Sequence, residues 1–273
     1  MSAVTIPQLH DMKRRGEKIF GVVAWDYHMA AIADRVGVEI ISVGDTVGKN
    51  LWGHENPLEV TMDEMLVVTK AVRRGTKRAL VSVDFPYGPL QEGVDAAVRA
   101  AIRFVKEAGV DMIKLDGAAD YPEAVTALTR AGIPVWAQFG LTPQTALSLG
   151  IPYENQAGAE AALPADMADR MIAEARMLAA AGAVLLDFTN SGPEIGPQVV
   201  RAVDIPVIGG FGGGPWLDGR VRLAQAAVGY DVNALDRNPA GYTNVAASIH
   251  TALDTCAQDV RAARQIKGQP GAS

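Results

Sequence analysis

The stretch AGVDMIKLDG, residues 108 to 117, decides the fold. Its Ala-Gly pair closes the helical pattern of VDAAVRAAIRFVKEAG, because glycine takes the left-handed conformation that ends a helix at little cost. MIKLDG, at 112 to 117, then reads as a strand, and alternation puts Lys114 and Asp116 on one face of it. Strands of a parallel sheet are covered outside by helices, so this charged pair belongs on an inner face near a strand end. The same junction recurs as AGI before PVWAQFG (134 to 140) and as AGA before VLLDFTN (184 to 190). Helix, glycine and strand in immediate succession, three times over, describe an α/β chain built on parallel strands.

Working outward, the remaining apolar runs are KIFGVVAWD at 18 to 26, VEIISVGD at 38 to 45, ALVSVDFP at 79 to 86, PVIGGFGG at 206 to 213 and, more weakly, AVGYDV at 227 to 232. With the three above they make eight, and helical stretches such as MDEMLVVTKAVRR and ADMADRMIAEARMLAAAG lie between. No GxGxxG turn follows the first run, as it commonly does in an open dinucleotide-binding sheet. The expected architecture is a (β/α)8 TIM barrel, one domain over 1–273 with a C-terminal helical extension, and its 273 residues suit barrels of about 250. The last helical stretch, NVAASIHTALDTCAQDVRAARQIKG, is expected outside the barrel or between subunits. The segment TPQTALSLGIPYENQAGAEAALPAD, 142 to 166, is long for a βα connection and reads as a lid or an interface arm. FGGGPWLDG at 211 to 219 reads either as a cradle for a phosphate or carboxylate or as a tight turn into a helix capped by Asp218.

Apolar residues make up 49% of the chain and charged residues 21%, the proportions of an ordinary globular protein. Thirty-one acidic residues against 25 basic ones give a net charge of -6, which offers no basic field for a nucleic acid. The amino terminus lacks the apolar centre of a signal peptide, and no run approaches the roughly 20 apolar residues of a membrane span. A cytoplasmic location is expected, without membrane contact. The single cysteine, Cys256, forms no internal disulfide and reads as a packing residue of the last helix.

In a barrel the chemistry gathers at the C-terminal ends of the strands. The polar residues there are Asp26, Asp45, Asp84, Lys114, Asp116, Gln138, Asp187, Thr189 and Asn190. Carboxylates converging on one mouth repel one another unless a cation neutralises them, and an oxygen-rich donor set with few histidines suits Mg2+ or Mn2+. Lys114 reads as a fixed cation for a substrate carboxylate or enolate oxygen. The rival role is a Schiff-base amine, which the neighbouring acids disfavour by keeping it protonated. His10 and His250 read as structural, and His54 as a loop-stabilising or site-facing group.

The motifs VAWDYHMA (23 to 30), VGDTVG (43 to 48), GHENPLEVTMDEM (53 to 65), AVRRG (71 to 75), VDFPYG (83 to 88), AGVDMIKLDG, GIPVWAQFGLTPQ (132 to 144) and DIPVIGGFGGGPWLDGRV (204 to 221) resemble, in order, those of the ketopantoate hydroxymethyltransferase family. That family lies in the phosphoenolpyruvate mutase and isocitrate lyase superfamily of barrels. The resemblance implies a magnesium-dependent, aldol-type transfer of a hydroxymethyl group from methylenetetrahydrofolate to the enol of 2-oxoisovalerate, and a homo-oligomer, in the family a decamer. Residue by residue, it puts Asp45 and Asp84 on the metal, Thr46 and Lys114 on the oxo acid, and Asp116 near the metal through water.

Two positions depart from the family pattern. Gln138, expected to bind the substrate by hydrogen bonding alone, stands where the family has a histidine, and Thr189, at the catalytic position, stands where it has the catalytic glutamate. A threonine is no general base near neutral pH, which places folate use in question and leaves three readings. Asp187, two residues away on the same inward face, takes over proton abstraction in an aldolase or hydroxymethyltransferase. Alternatively, the scaffold cleaves a C–C bond in a different 2-oxo or acyl acid as a lyase or hydrolase. The third reading is a non-catalytic binding protein.

Overall fold

The computed structural model describes residues 2–144, 165–237 and 241–268. Helix α1 (Ile6–Arg15) precedes β1 (Ile19–Val23), and the chain then alternates through α2 (Tyr27–Val36), β2 (Ile40–Val43), α3 (Met62–Gly75), β3 (Leu80–Asp84), α4 (Val94–Arg103) and β4 (Met112–Leu115). It continues through α5 (Pro122–Arg130), β5 (Val135–Gly140), α6 (Ala168–Ala180), β6 (Leu185–Thr189), α7 (Gly192–Ala202), β7 (Val207–Gly209) and β8 (Gly219–Leu223). The strands pair in sequence order into a closed parallel barrel, as the alternating pattern leads one to expect.

The three αβ junctions behave as read: Gly109, Gly132 and Gly182 all hold positive φ, of 66°, 79° and 101°. Helix starts are equally local. Thr61 and Glu64 cap α3 reciprocally, and the Asp26 carboxylate accepts from the Met29 amide at the start of α2.

On the barrel's inner face the lowest layer is apolar: Ile19, Ile40, Leu80, Met112, Trp136, Leu185, Ile208 and Val221. Val4, Leu9 and Met12 join the same cluster, so the N-terminal segment and α1 stopper the barrel's bottom. Each such aliphatic side chain contributes about 1.5–3 kcal/mol on burial. Lys13 pins α1 in place, donating to the Val200 and Ile205 carbonyls at 2.9 Å and pairing with Asp218 at 3.0 Å.

Three expectations are corrected or fall elsewhere. The eighth strand is GRVRL, Gly219–Leu223, and not the 227–232 run. Ala224–Val228 is instead a helix, α8, ended by Gly229 at φ 67°. Gly219 is what lets β8 close on β1, because a Cβ there would overlap the Ile19 carbonyl. Residues 210–218 are a tight turn, yet they lead into β8 and not into a helix; the Asp218 carboxylate accepts from the Val207 amide at 2.9 Å instead of capping. Trp216 folds over Gly214 and donates to the Ser191 hydroxyl at 3.0 Å. Of the 142–166 segment, residues 145–164 lie outside the described residues.

The chain divides into two compact units, Met1–Val221 and Arg222–Ser273. In the second, α9 (Val245–Arg261) starts at Asn244, whose side chain accepts from the Ala247 amide. No helix among the described residues is long and apolar enough to cross a membrane.

Candidate active site

Alternation along each strand turns an apolar floor into a polar mouth. Above Leu80 come Ser82 and Asp84, above Met112 come Lys114 and Asp116, above Trp136 comes Gln138, and above Leu185 come Asp187 and Thr189. Register sets these side by side: Asp84 is opposite Lys114, and Gln138 is opposite Asp187. All the aspartates and both neutral partners are buried.

Lys114 is the hub. Its ammonium lies 3.2 Å from Asp84 Oδ2 and 3.2 Å from Asp187 Oδ2, and 5.6 Å from the centre of the Trp136 ring. Burial alone would pull its pKa down, but Asp84, Asp187, Asp45 and Asp116 outweigh that and hold it above the ordinary lysine value. The amine is therefore a charge, not a nucleophile. One ammonium does not balance four carboxylates. Burial, then Asp84 and Asp116, pushes the Asp45 carboxyl up to about 8, and burial pushes Asp116 up to about 6. Asp84 also rises through burial, with Lys114 opposing the shift.

The donor chemistry fits a hard divalent ion. Asp45 and Asp84 adjoin, the Asp45 backbone amide donating to the Asp84 carboxylate. Four carboxyls face one ammonium, and among the described residues Asp116 Oδ1 and Asp187 Oδ1 are buried with no hydrogen-bond partner. Among the described residues no three His, Cys, Asp or Glu side chains form a group that could hold a metal ion. Two carboxylates with the remaining positions left to water and substrate oxygens is the usual magnesium arrangement. Asp116 is engaged elsewhere, accepting from the Thr142 side chain and from the Gln144 amide at 3.2 Å.

Gln138 and Thr189, the two positions read from the sequence as departures, touch each other: Gln138 Nε2 donates to Thr189 Oγ1 at 3.1 Å. The two meet as a neutral, hydrogen-bonded pair. Thr46 is half-buried on the loop beside Asp45, its hydroxyl against Gly44. Asn190, just past β6, takes φ 54° and donates to the Leu141 carbonyl at 3.3 Å. Of the remaining candidates, Asp26 is an exposed helix cap, and His54 lies 3.8 Å from Glu64 on α3 and against Gly48. His10 is structural as read, bonded to the Val184 carbonyl at 2.8 Å.

One residue of the site was missed. Gln144, in the LTPQ run after β5, bonds Asp45 Oδ2 at 3.0 Å and the Phe85 carbonyl at 3.1 Å. Its presence in a quoted motif at a strand exit was the available signal; what it reaches across the mouth was not readable.

The barrel is shared with solved enzymes of low sequence identity. The structure of 2,3-dimethylmalate lyase, a phosphoenolpyruvate mutase/isocitrate lyase superfamily member, superposes with a TM-score of 0.61 at 14% identity, covering 100% of this chain and 92% of that one. Phosphonopyruvate hydrolase in complex with oxalate and Mg2+ gives 0.60 at 13%, covering 98% and 92%. The fold is thus that of the phosphoenolpyruvate mutase and isocitrate lyase barrels. Sequence is more specific. The model of the ketopantoate hydroxymethyltransferase family matches residues 3–265, and 3-methyl-2-oxobutanoate hydroxymethyltransferase of Cytophaga hutchinsonii is 37% identical over 258 residues, 94% of this chain and 92% of that one. The chain belongs to the ketopantoate hydroxymethyltransferase family, a family of enzymes.

Proposed function

We propose that this chain is a divalent-metal-dependent aldol-type enzyme that activates a small 2-oxo acid, with 2-oxoisovalerate as its first candidate substrate. The observation that carries the reading is the Lys114 hub flanked by Asp84 and Asp187 beside Asp45. Asp45, Asp84 and, through water, Asp116 would hold Mg2+ or Mn2+. The bound ion supplies Lewis-acid polarisation of the oxo acid, worth several kcal/mol of barrier. Lys114 binds the substrate carboxylate and faces the oxygen on which negative charge develops. Thr46 donates its hydroxyl to the oxo acid.

Proton removal from C3 falls to Asp187. Its Oδ2 is paired with Lys114, while Oδ1, buried, makes no hydrogen bond among the described residues and so keeps its lone pairs uncommitted. Gln138 and Thr189 form the neutral wall beside it. We also assign the barrel and the helical tail to one functional domain, working as a cytoplasmic homo-oligomer.

A second reading draws on the Gln138–Thr189 bond. With a threonine in place of a carboxylate at 189, the last residue of β6, the site also suits a lyase that cleaves a C–C bond and needs no base at that position. Proton exchange separates the two. With Mg2+ in deuterated water, and without any methylenetetrahydrofolate, wild-type protein is expected to exchange the C3 proton of 2-oxoisovalerate as followed by NMR. Asp187→Asn should abolish the exchange while leaving metal binding, and Thr189→Glu should raise it. Exchange that survives Asp187→Asn and disappears in Thr189→Glu would overturn the aldol reading.

A further inference from the structure

Gln144 sits just beyond the end of β5, yet its three donated hydrogen bonds all go to other segments. Its side-chain amide donates to Asp45 Oδ2 at 3.0 Å, on the loop after β2, and to the Phe85 carbonyl at 3.1 Å, directly after Asp84. Its backbone amide donates to Asp116 Oδ2 at 3.2 Å, at the end of β4. One residue thus ties together the three strand exits that bring acids to the mouth.

Asp45 depends on this tie. Its carboxylate faces repulsion from Asp84 and Asp116, and the Gln144 side-chain amide donates a hydrogen bond to it. Left alone, a carboxylate under such repulsion rotates away from its neighbours. The amide prevents this: one Nε2 hydrogen is on Asp45 and the other on a backbone carbonyl that is itself fixed to β3, so the aspartate's direction is set relative to Asp84. The neutral amide does so without adding to the acidic cluster.

We infer that Gln144 is the positioning residue that orients Asp45 toward a divalent cation shared with Asp84. This rests on the metal reading above. It assigns to the LTPQ run a role in affinity for the ion, exerted without ligating it, and partners of this kind typically matter by 10- to 100-fold.

The test is Mn2+ titration by calorimetry of wild type, Gln144→Met and Gln144→Asn, with thermal unfolding of each in the presence and absence of Mn2+. Methionine keeps the length and loses both donors; asparagine keeps the donors on an arm one methylene shorter. We expect Gln144→Met to bind Mn2+ roughly 10- to 100-fold more weakly, with an unfolding temperature near wild type in the absence of the ion and a smaller rise when it is added. Gln144→Asn should fall between the two. A folded Gln144→Met with wild-type affinity overturns the inference, as does a lowered metal-free unfolding temperature with unchanged affinity, the signature of a merely structural bond. Should Gln144→Met fail to fold, Gln144→Asn decides, and parity with wild type counts against the role. Absence of Mn2+ binding by the wild type would instead remove the metal reading, and this inference with it.

Discussion

Lys114 stands between two buried aspartates and over the Trp136 ring, so its removal leaves charge with nowhere to go. Breaking a buried ion pair from one side costs about 3–5 kcal/mol, because the surviving carboxylate stays desolvated and unpaired. Lys114→Met should therefore lose stability on that scale in urea unfolding at neutral pH. A variant as stable as wild type would show that the two aspartates have another source of compensation. The inward direction of Lys114 was legible from the alternation of MIKLDG under its helical cover. Its partners were not, because contact with Asp84 and Asp187 depends on the register between neighbouring and facing strands. The same holds for Gln138 and Thr189, read separately as departures and found bonded to each other at 3.1 Å.

Between elements, one carboxylate does the work of joining α2 to β3. Asp34, near the end of α2, accepts backbone hydrogen bonds from Lys77, Arg78 and Ala79 at 3.2, 2.9 and 2.8 Å, just before β3 begins. Partial burial pushes its pKa up, but those three amides and the Arg78 charge outweigh it and hold the carboxyl below the ordinary aspartate value. A folded-state pKa that is lowered gives stability that is complete above the unfolded value of about 3.9 and is lost as pH falls through the folded value. Asp34→Ala should thus cost about 1–3 kcal/mol at pH 7, with the gap to wild type closing in acid below about pH 4. A gap that persists unchanged in strong acid would assign the loss to packing instead. At this scale the helix and strand order was largely readable, since caps such as Thr61 with Glu64 and the Ala-Gly stops act within a few residues. The eighth strand was misread for a physical reason. AVGYDV is a short apolar run, which periodicity alone does not separate from a helix end, while GRVRL offers little apolar signal, with a glycine at 219 and Val221 set between Arg220 and Arg222.

For the molecule as a whole, a cation bound only by the folded state stabilises it by mass action, about 2.7 kcal/mol at a hundred times the dissociation constant. Mn2+ is expected to raise the unfolding temperature, chelation to reverse the rise, and the Asp45→Asn, Asp84→Asn double variant to show none. An undiminished response in the double variant would place the ion elsewhere. What the amino-acid sequence determined by itself is local or periodic: the αβ junctions at glycine, the parallel α/β pattern, the inward parity of Lys114, Asp116, Asp187 and Thr189, and the motifs that carry the family. What only the tertiary structure decided is convergence. Closing eight strands into one ring joined Gly219 to Ile19, stoppered the floor with α1, gathered Asp45, Asp84, Asp116 and Asp187 around a single ammonium, and brought Gln144 across to Asp45. Those contacts depend on shear and register around the barrel, quantities set by all the strands at once and encoded in no one segment.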